Sequence, residues 1–83
     1  MKKRIMPANR LTKFAERVET IMHENELYQQ EFAWAIGVSG NTVSEWRHSG
    51  ILPNGETLMV IGETFGVSVD WLVGRTDIRE VNR

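Results

Sequence analysis

The sequence contains no cysteine, two prolines and one tyrosine. Without cysteine there is no disulfide framework and no thiolate metal site. The two histidines, His23 and His48, stand far apart with no partner motif, so neither a metal nor a cofactor is expected. No apolar run approaches the ~20 residues that span a bilayer. The Lys2-Lys3-Arg4 start leads into Pro7-Ala8-Asn9-Arg10 rather than an apolar stretch, which argues against a signal peptide. No segment alternates with period two over a useful length, so no strand is expected. Also missing is any carboxylate cluster, nucleophile–base pairing or phosphate loop. No catalytic residue is assigned, and an enzyme is set aside. What remains, at 83 residues, is one all-α domain with most of its apolar residues in a single core. Such a domain is compatible with a reducing cytosol, and a cytoplasmic location is expected.

The net charge of −1 argues weakly against nucleic acid, but its distribution matters more. Residues 1–23 carry six Lys/Arg against two Glu, a balance of +4. Residues 24–83 carry four Arg against nine Asp/Glu, a balance of −5. Any attraction for phosphate is expected mainly from the N-terminal end, where Lys2, Lys3 and Arg4 sit in a basic, proline-containing arm over residues 1–8. Such an arm can touch a DNA backbone or minor groove when bound.

Residues 9–74 form the expected domain. Asn9 is a candidate N-cap for a first helix over residues 10–24. There Leu11, Phe14, Ala15, Val18, Ile21 and Met22 follow the i, i+3, i+4, i+7 pattern, with Lys13, Glu16, Arg17 and Glu19 outward. Leu27 is expected to plug the core. Residues 56–65 predict a fourth helix with Leu58, Ile61 and Phe65 inward, interrupted on its outer face by Val60. Gly66 stops it. Ser68 can cap a short fifth helix ending near Val73, and residues 75–83 are expected to be a loose polar tail.

The stretch over residues 29–46 organises the rest. It predicts two short helices joined at Gly37-Val38-Ser39. Phe32, Ala33 and Ile36 share one face of the first, and Val43 and Trp46 share one face of the second. Asn41, Ser44, Glu45 and His48 recur at i, i+3, i+4 and i+7, a polar stripe on the opposite side. Gly37 suits a sharp turn needing positive φ, and Ser39 offers an oxygen to cap the second helix. This is the physical description of a helix-turn-helix.

At these residues the chain resembles the Cro/repressor-type, or lambda repressor-like, helix-turn-helix DNA-binding domain family. The resemblance runs without a gap over residues 27–74. It rests on Gln29, Phe32-Ala33, Ile36-Gly37-Val38-Ser39, Thr42-Val43-Ser44 and Trp46. Further on it rests on Pro53, Glu56-Thr57-Leu58 and the run from Gly66-Val67-Ser68-Val69-Asp70 through Trp71-Leu72-Val73-Gly74. It implies a five-helix fold in which Gln29 holds a DNA phosphate. It also implies that Ser39, Gly40, Asn41, Ser44 and Glu45 face phosphates and base edges. The fifth helix would build a two-fold dimer, with Val69, Trp71 and Val73 as candidate contacts.

The chemistry of those positions is consistent with such a role. Asn41 can pair bidentately with adenine, Glu45 can accept from cytosine, and Thr42 or Ser44 can bond several edges or a phosphate. His48 lies near the expected DNA face and can contact phosphate. The chain also departs from the family. Gly40 leaves a frequent contact position without a side chain. The ion pair often made between the end of the first helix and the residue after the recognition helix meets Met22 and Arg47 here. Both halves of it are absent, which leaves Arg47 free for a phosphate. Trp34 stands where relatives usually show a polar residue. Packing at the core edge is its commoner explanation, and an interface anchor for a protein partner the functional one.

The expected function is a sequence-specific regulator of double-stranded DNA, a repressor of phage, plasmid or bacterial type acting as a homodimer. Because the chain ends soon after the fifth helix, a stand-alone regulator without an appended domain is expected. The alternative is a protein-interaction module on the same fold, a modulator of another regulator or an antitoxin. Gly40, Glu45, Trp34 and the acidic balance after residue 23 favour it.

Overall fold

The structure is a computed structural model that describes residues 8–81, with side chains from residue 13 onward. Five helices follow in order: α1 Ala8–Glu24, α2 Gln29–Ile36, α3 Gly40–His48, α4 Gly55–Phe65 and α5 Val69–Leu72. Among the described residues there is no strand, and no helix is long and apolar enough to cross a membrane. The Lys2-Lys3-Arg4 arm, the Asn9 and Leu11 side chains, and residues 82–83 lie outside what is described. The helix α1 starts two residues before the expected boundary, which puts Asn9 inside its first turn. Helix ends commonly differ by that much.

Most of the helix boundaries have a local cause. The Asn25 side chain donates to the Ile21 carbonyl at 2.8 Å, and Leu27 N–H donates to the Met22 carbonyl at 2.8 Å, closing α1. The positive φ of 55° at Glu26 turns the chain there. Ser39, Asn54 and Ser68 cap α3, α4 and α5, their side-chain oxygens accepting from the N–H groups of Thr42, Thr57 and Trp71. A cap of this kind stabilises a helix by about 1 kcal/mol.

The core joins all five helices. Phe14, Val18 and Ile21 of α1 meet Phe32, Ala33 and Ile36 of α2, Val43 and Trp46 of α3, Ile61 of α4, and Trp71 and Leu72 of α5. Phe14 meets Trp46 edge-on, with ring centroids 5.8 Å apart, and Phe32 stacks on Phe65 at 5.3 Å. Leu27 packs against this core as expected. Val60 corrects the sequence reading: it is half-buried and packs on the core instead of interrupting an outer face.

The C-terminal segment departs further from expectation. Residues 75–81 are docked, not loose. The Arg79 carbonyl accepts from Ser68 N–H at 2.8 Å, and the Arg79 guanidinium grips both carboxylate oxygens of Glu24 at 2.7 Å. Two guanidinium groups lie over the Trp71 indole, Arg17 at 4.6 Å and Arg79 at 4.7 Å. Asp77 in turn holds Arg17 at 3.0 Å. A cation over an indole face is attracted by the ring's negative centre, so Trp71 gathers the segment onto α1 and α5.

Gly62, buried in α4, permits the tightest approach of α4 to the turn that follows it. A Cβ there would lie 2.8 Å from the Val67 carbonyl oxygen, a backbone atom that cannot swing aside. Gly62→Ala gains about 1 kcal/mol of helix propensity, but overpacking against fixed backbone costs about 1–3 kcal/mol. The expected result is a net loss of up to about 2 kcal/mol in urea unfolding. Equal or greater stability than wild type would mean that the turn yields freely.

The bidentate Arg79 bond holds the Glu24 carboxyl below its ordinary pKa. A carboxylate lowered on folding contributes stability above the ordinary carboxylate range and loses it as pH falls through the lowered value. Glu24→Gln should therefore melt below wild type at neutral pH, and the two curves should converge once the pH is below Glu24's depressed range. A gap that persists in acid would assign the loss to packing.

Candidate nucleic-acid interface

The turn between α2 and α3 is built from backbone geometry. Gly37 adopts the left-handed conformation at φ 80°, and its N–H and that of Val38 donate to the carbonyls of Trp34 and Ala33 at 3.2 and 3.0 Å. At the start of α2 the Glu31 carboxylate accepts from Tyr28 N–H at 2.8 Å. Ser39 Oγ accepts from Thr42 N–H at 3.1 Å and lies 2.9 Å from the Thr42 hydroxyl. The Ser39 and Thr42 hydroxyls are thus engaged with each other.

With Val43 and Trp46 buried, α3 turns its polar stripe outward. Asn41, Glu45 and His48 are exposed and Ser44 is half-exposed. The His48 ring folds back along the helix, its Nδ1 3.1 Å from the Ser44 carbonyl oxygen and 3.3 Å from Ser44 Oγ. If Nδ1–H donates to that carbonyl, Nε2 carries a second proton only in the imidazolium form. A phosphate contact through Nε2 that keeps this bond requires a charged ring.

Arg47 is a correction. It is not free: its Nε donates to Glu19 Oε2 at 3.0 Å, Nη2 engages the same carboxylate, and Nη1 donates to Gln29 Oε1 at 2.6 Å. Gln29 Nε2 then donates to the Gly40 carbonyl at 3.0 Å. The interhelical ion pair missing at Met22 is rebuilt one turn earlier on α1, with the signs exchanged. Gln29 therefore has its carbonyl occupied and one of its two amide N–H groups remaining for an outside acceptor. Glu19 was missed as a member of this site because its outward position marks it only as a solvated helix residue.

Gly40, which leaves its contact position without a side chain, accepts from Gln29 through its carbonyl. A Cβ there would come within 2.6 Å of Gln30 Oε1, the movable end of a side chain, so the position tolerates a larger residue once Gln30 turns away. Trp34 is 85% exposed, which excludes the core-edge role. With Gln30, Val38 and Gly40 it lines a shallow hollow beside the start of α3.

Of the expected dimer contacts, Val69 and Val73 are half-exposed, but Trp71 is 3% exposed and serves the core. Val69 instead shares an apolar groove of about 440 Å³ with Met59, Val67 and Val81.

No family model and no curated protein sequence matches the chain. Among solved structures, it is similar to the P22 c2 repressor protein in its crystal structure with the synthetic operator 9T in the presence of Tl+. The TM-score is 0.69 and the identity 27%, over 76% of this chain and 96% of that one. The all-α, five-helix repressor-type fold expected from the sequence is borne out by this likeness.

The exposure of Trp34 makes a stability prediction. A residue that covers no core changes stability by no more than about 0.5 kcal/mol when truncated. Trp34→Ala should therefore leave the urea midpoint nearly unchanged, and a loss of about 2 kcal/mol would show that the indole covers α2 in solution.

Proposed function

We propose that this chain, whose fold is that of the lambda repressor-like helix-turn-helix domains, is a sequence-selective transcriptional repressor acting in the cytosol on double-stranded DNA. One observation carries the reading. A capped helix, anchored by Val43 and Trp46, turns Asn41, Ser44, Glu45 and His48 outward on the same fold as a repressor solved on its operator.

In this reading α3 lies in the major groove. Asn41 pairs with adenine N6 and N7, Glu45 accepts from cytosine N4, and Ser44 takes an edge or a phosphate. Ser39, Gly40 and Thr42 bring the start of α3 up to the backbone, where Gln29 gives its remaining amide N–H to a phosphate. Lys2, Lys3 and Arg4 supply the charge that the acidic remainder of the chain withholds. Two copies meet through Val69 and Val73, with Trp71 supporting that surface from beneath. Their recognition helices read palindromic half-sites about one helical turn apart. A dimer assembled on DNA makes occupancy depend on protein concentration.

Trp34 favours a second reading. A fully presented indole is a common anchor of protein interfaces, and the acidic balance after residue 23 weakens non-specific attraction for DNA. The alternative is a modulator or antitoxin that binds another protein.

Fluorescence anisotropy with duplexes tiled across the chain's own promoter separates the two. Selective, salt-sensitive binding to one palindromic tile supports the repressor; weak binding equal on every tile favours the protein partner. Within the first outcome, Asn41→Ala should cost about 1–3 kcal/mol at one base position per half-site and relax the preference there. Unchanged selectivity in a competition panel would remove Asn41 from base readout.

A further inference from the structure

Residues 18–74 contain a single Lys or Arg, and it is Arg47. The helix-turn-helix therefore has one permanent cation to offer a phosphate, and α1 holds it. The Glu19 carboxylate takes the Nε and Nη2 groups of Arg47, while Nη1 donates to Gln29 at 2.6 Å. Three of the five guanidinium N–H groups are thus used and two remain. The Arg47 side chain is 20% exposed and that of Glu19 is 56% exposed, so the pair sits at the edge of solvent.

We propose that Glu19 is a built-in competitor for DNA phosphate, which holds back the one strong cation of the helix-turn-helix and so sets the affinity. The inference rests on the DNA-binding reading above, because it needs a phosphate beside Gln29. Arg47 touches Gln29 directly, so a phosphate bonded to the Gln29 amide comes within reach of the free side of the guanidinium. An ion pair at the edge of solvent contributes little to stability, so removing the Glu19 charge frees Arg47 for that phosphate without unfolding the domain. With that charge in place the Coulomb attraction of Arg47 for DNA is cancelled at close range by Glu19.

The same contacts make Arg47 a positioning residue. Its bond fixes the Gln29 carbonyl, and the other end of that amide holds the Gly40 carbonyl at the start of α3. A guanidinium can bond Glu19 and Gln29 together because its donors spread in a fixed plane; a lysine ammonium cannot reproduce that fork.

The test is the salt dependence of binding to the best duplex for wild type, Glu19→Gln, Glu16→Gln and the double variant Glu19→Gln/Arg47→Gln, each checked for folding by circular dichroism. Glu16 lies on the same helix, removes the same charge and pairs with Lys13 instead. Glu19→Gln should bind about three- to tenfold tighter at low salt, with a log–log slope steeper by about 0.9, the signature of one more phosphate contact. Glu16→Gln should leave the slope unchanged, and Arg47→Gln should abolish the steepening. A readout without mutation uses the Arg47 Nε–H resonance. It should be protected from exchange in the wild-type protein both free and bound to DNA.

Wild-type binding with an unchanged Glu19→Gln slope, or equal steepening in Glu16→Gln, overturns the inference and leaves the repressor reading standing. Failure of wild type to bind any duplex at low salt overturns both.

Discussion

A helix of nine residues does not hold together by itself in water, because nucleation is costly and too few bonds follow it. Everything proposed for α3 therefore depends on Val43 and Trp46 being buried. Fully burying side chains of this size stabilises by about 1.5–3 kcal/mol each. The Phe14–Trp46 contact ties α3 to α1, the longest helix and the one with most to anchor it. Once those two residues are fixed, the periodicity of the helix leaves Asn41, Ser44, Glu45 and His48 no inward place. Their exposure follows from the anchor.

Charge is arranged against that surface as well as for it. The described surface carries Glu31 beside Trp34 and Glu45 on the outward side of α3, while Arg47 is neutralised by Glu19. In the proposed DNA complex so little net attraction would trade non-specific affinity for selectivity, since the phosphate contribution is independent of sequence. Glu45 belongs to the same logic. In the proposed complex an acid near DNA would cost affinity everywhere except opposite a donor such as cytosine N4, so Glu45 would discriminate mainly by repelling wrong sites.

The legible parts of this chain were those decided within one turn of helix. Gly37 at positive φ, the Ser39 and Ser68 caps, the inward faces of α1 and α3 and the plugging Leu27 all follow from neighbours three or four residues away. What escaped is decided at long range. The Glu19–Arg47 bond spans 28 residues and the Glu24–Arg79 bond 55, and no local spacing marks either pair. Local spacing leaves Arg47 free because the familiar pairing position holds Met22, while the carboxylate that takes it lies one turn earlier. Polarity alone marks the tail as loose, yet Arg79 has both an aromatic face and a carboxylate to meet. Trp34 and Val60 show the limit of hydrophobicity as a guide: the larger side chain is in solvent and the smaller is packed.

Trp71 shows how one residue can be withdrawn from one role by another. A tryptophan on the fifth helix invites use as a dimer contact, but here it lies beneath two guanidinium groups and against the core. A partner copy cannot reach it without first dismantling the Glu24–Arg79 clamp. Among the described residues, the apolar surface beside the start of α5 and its groove is the rim of Val69, Val73, Met59 and Val81. Stable interfaces bury roughly 1,200–2,000 Å² in total, and four partly exposed side chains supply only a fraction of that. A dimer formed there would be weak in free solution and strengthened where a palindrome holds two copies side by side. Each copy then binds at the effective concentration set by the other, so cooperativity would reside in the DNA site as much as in the protein.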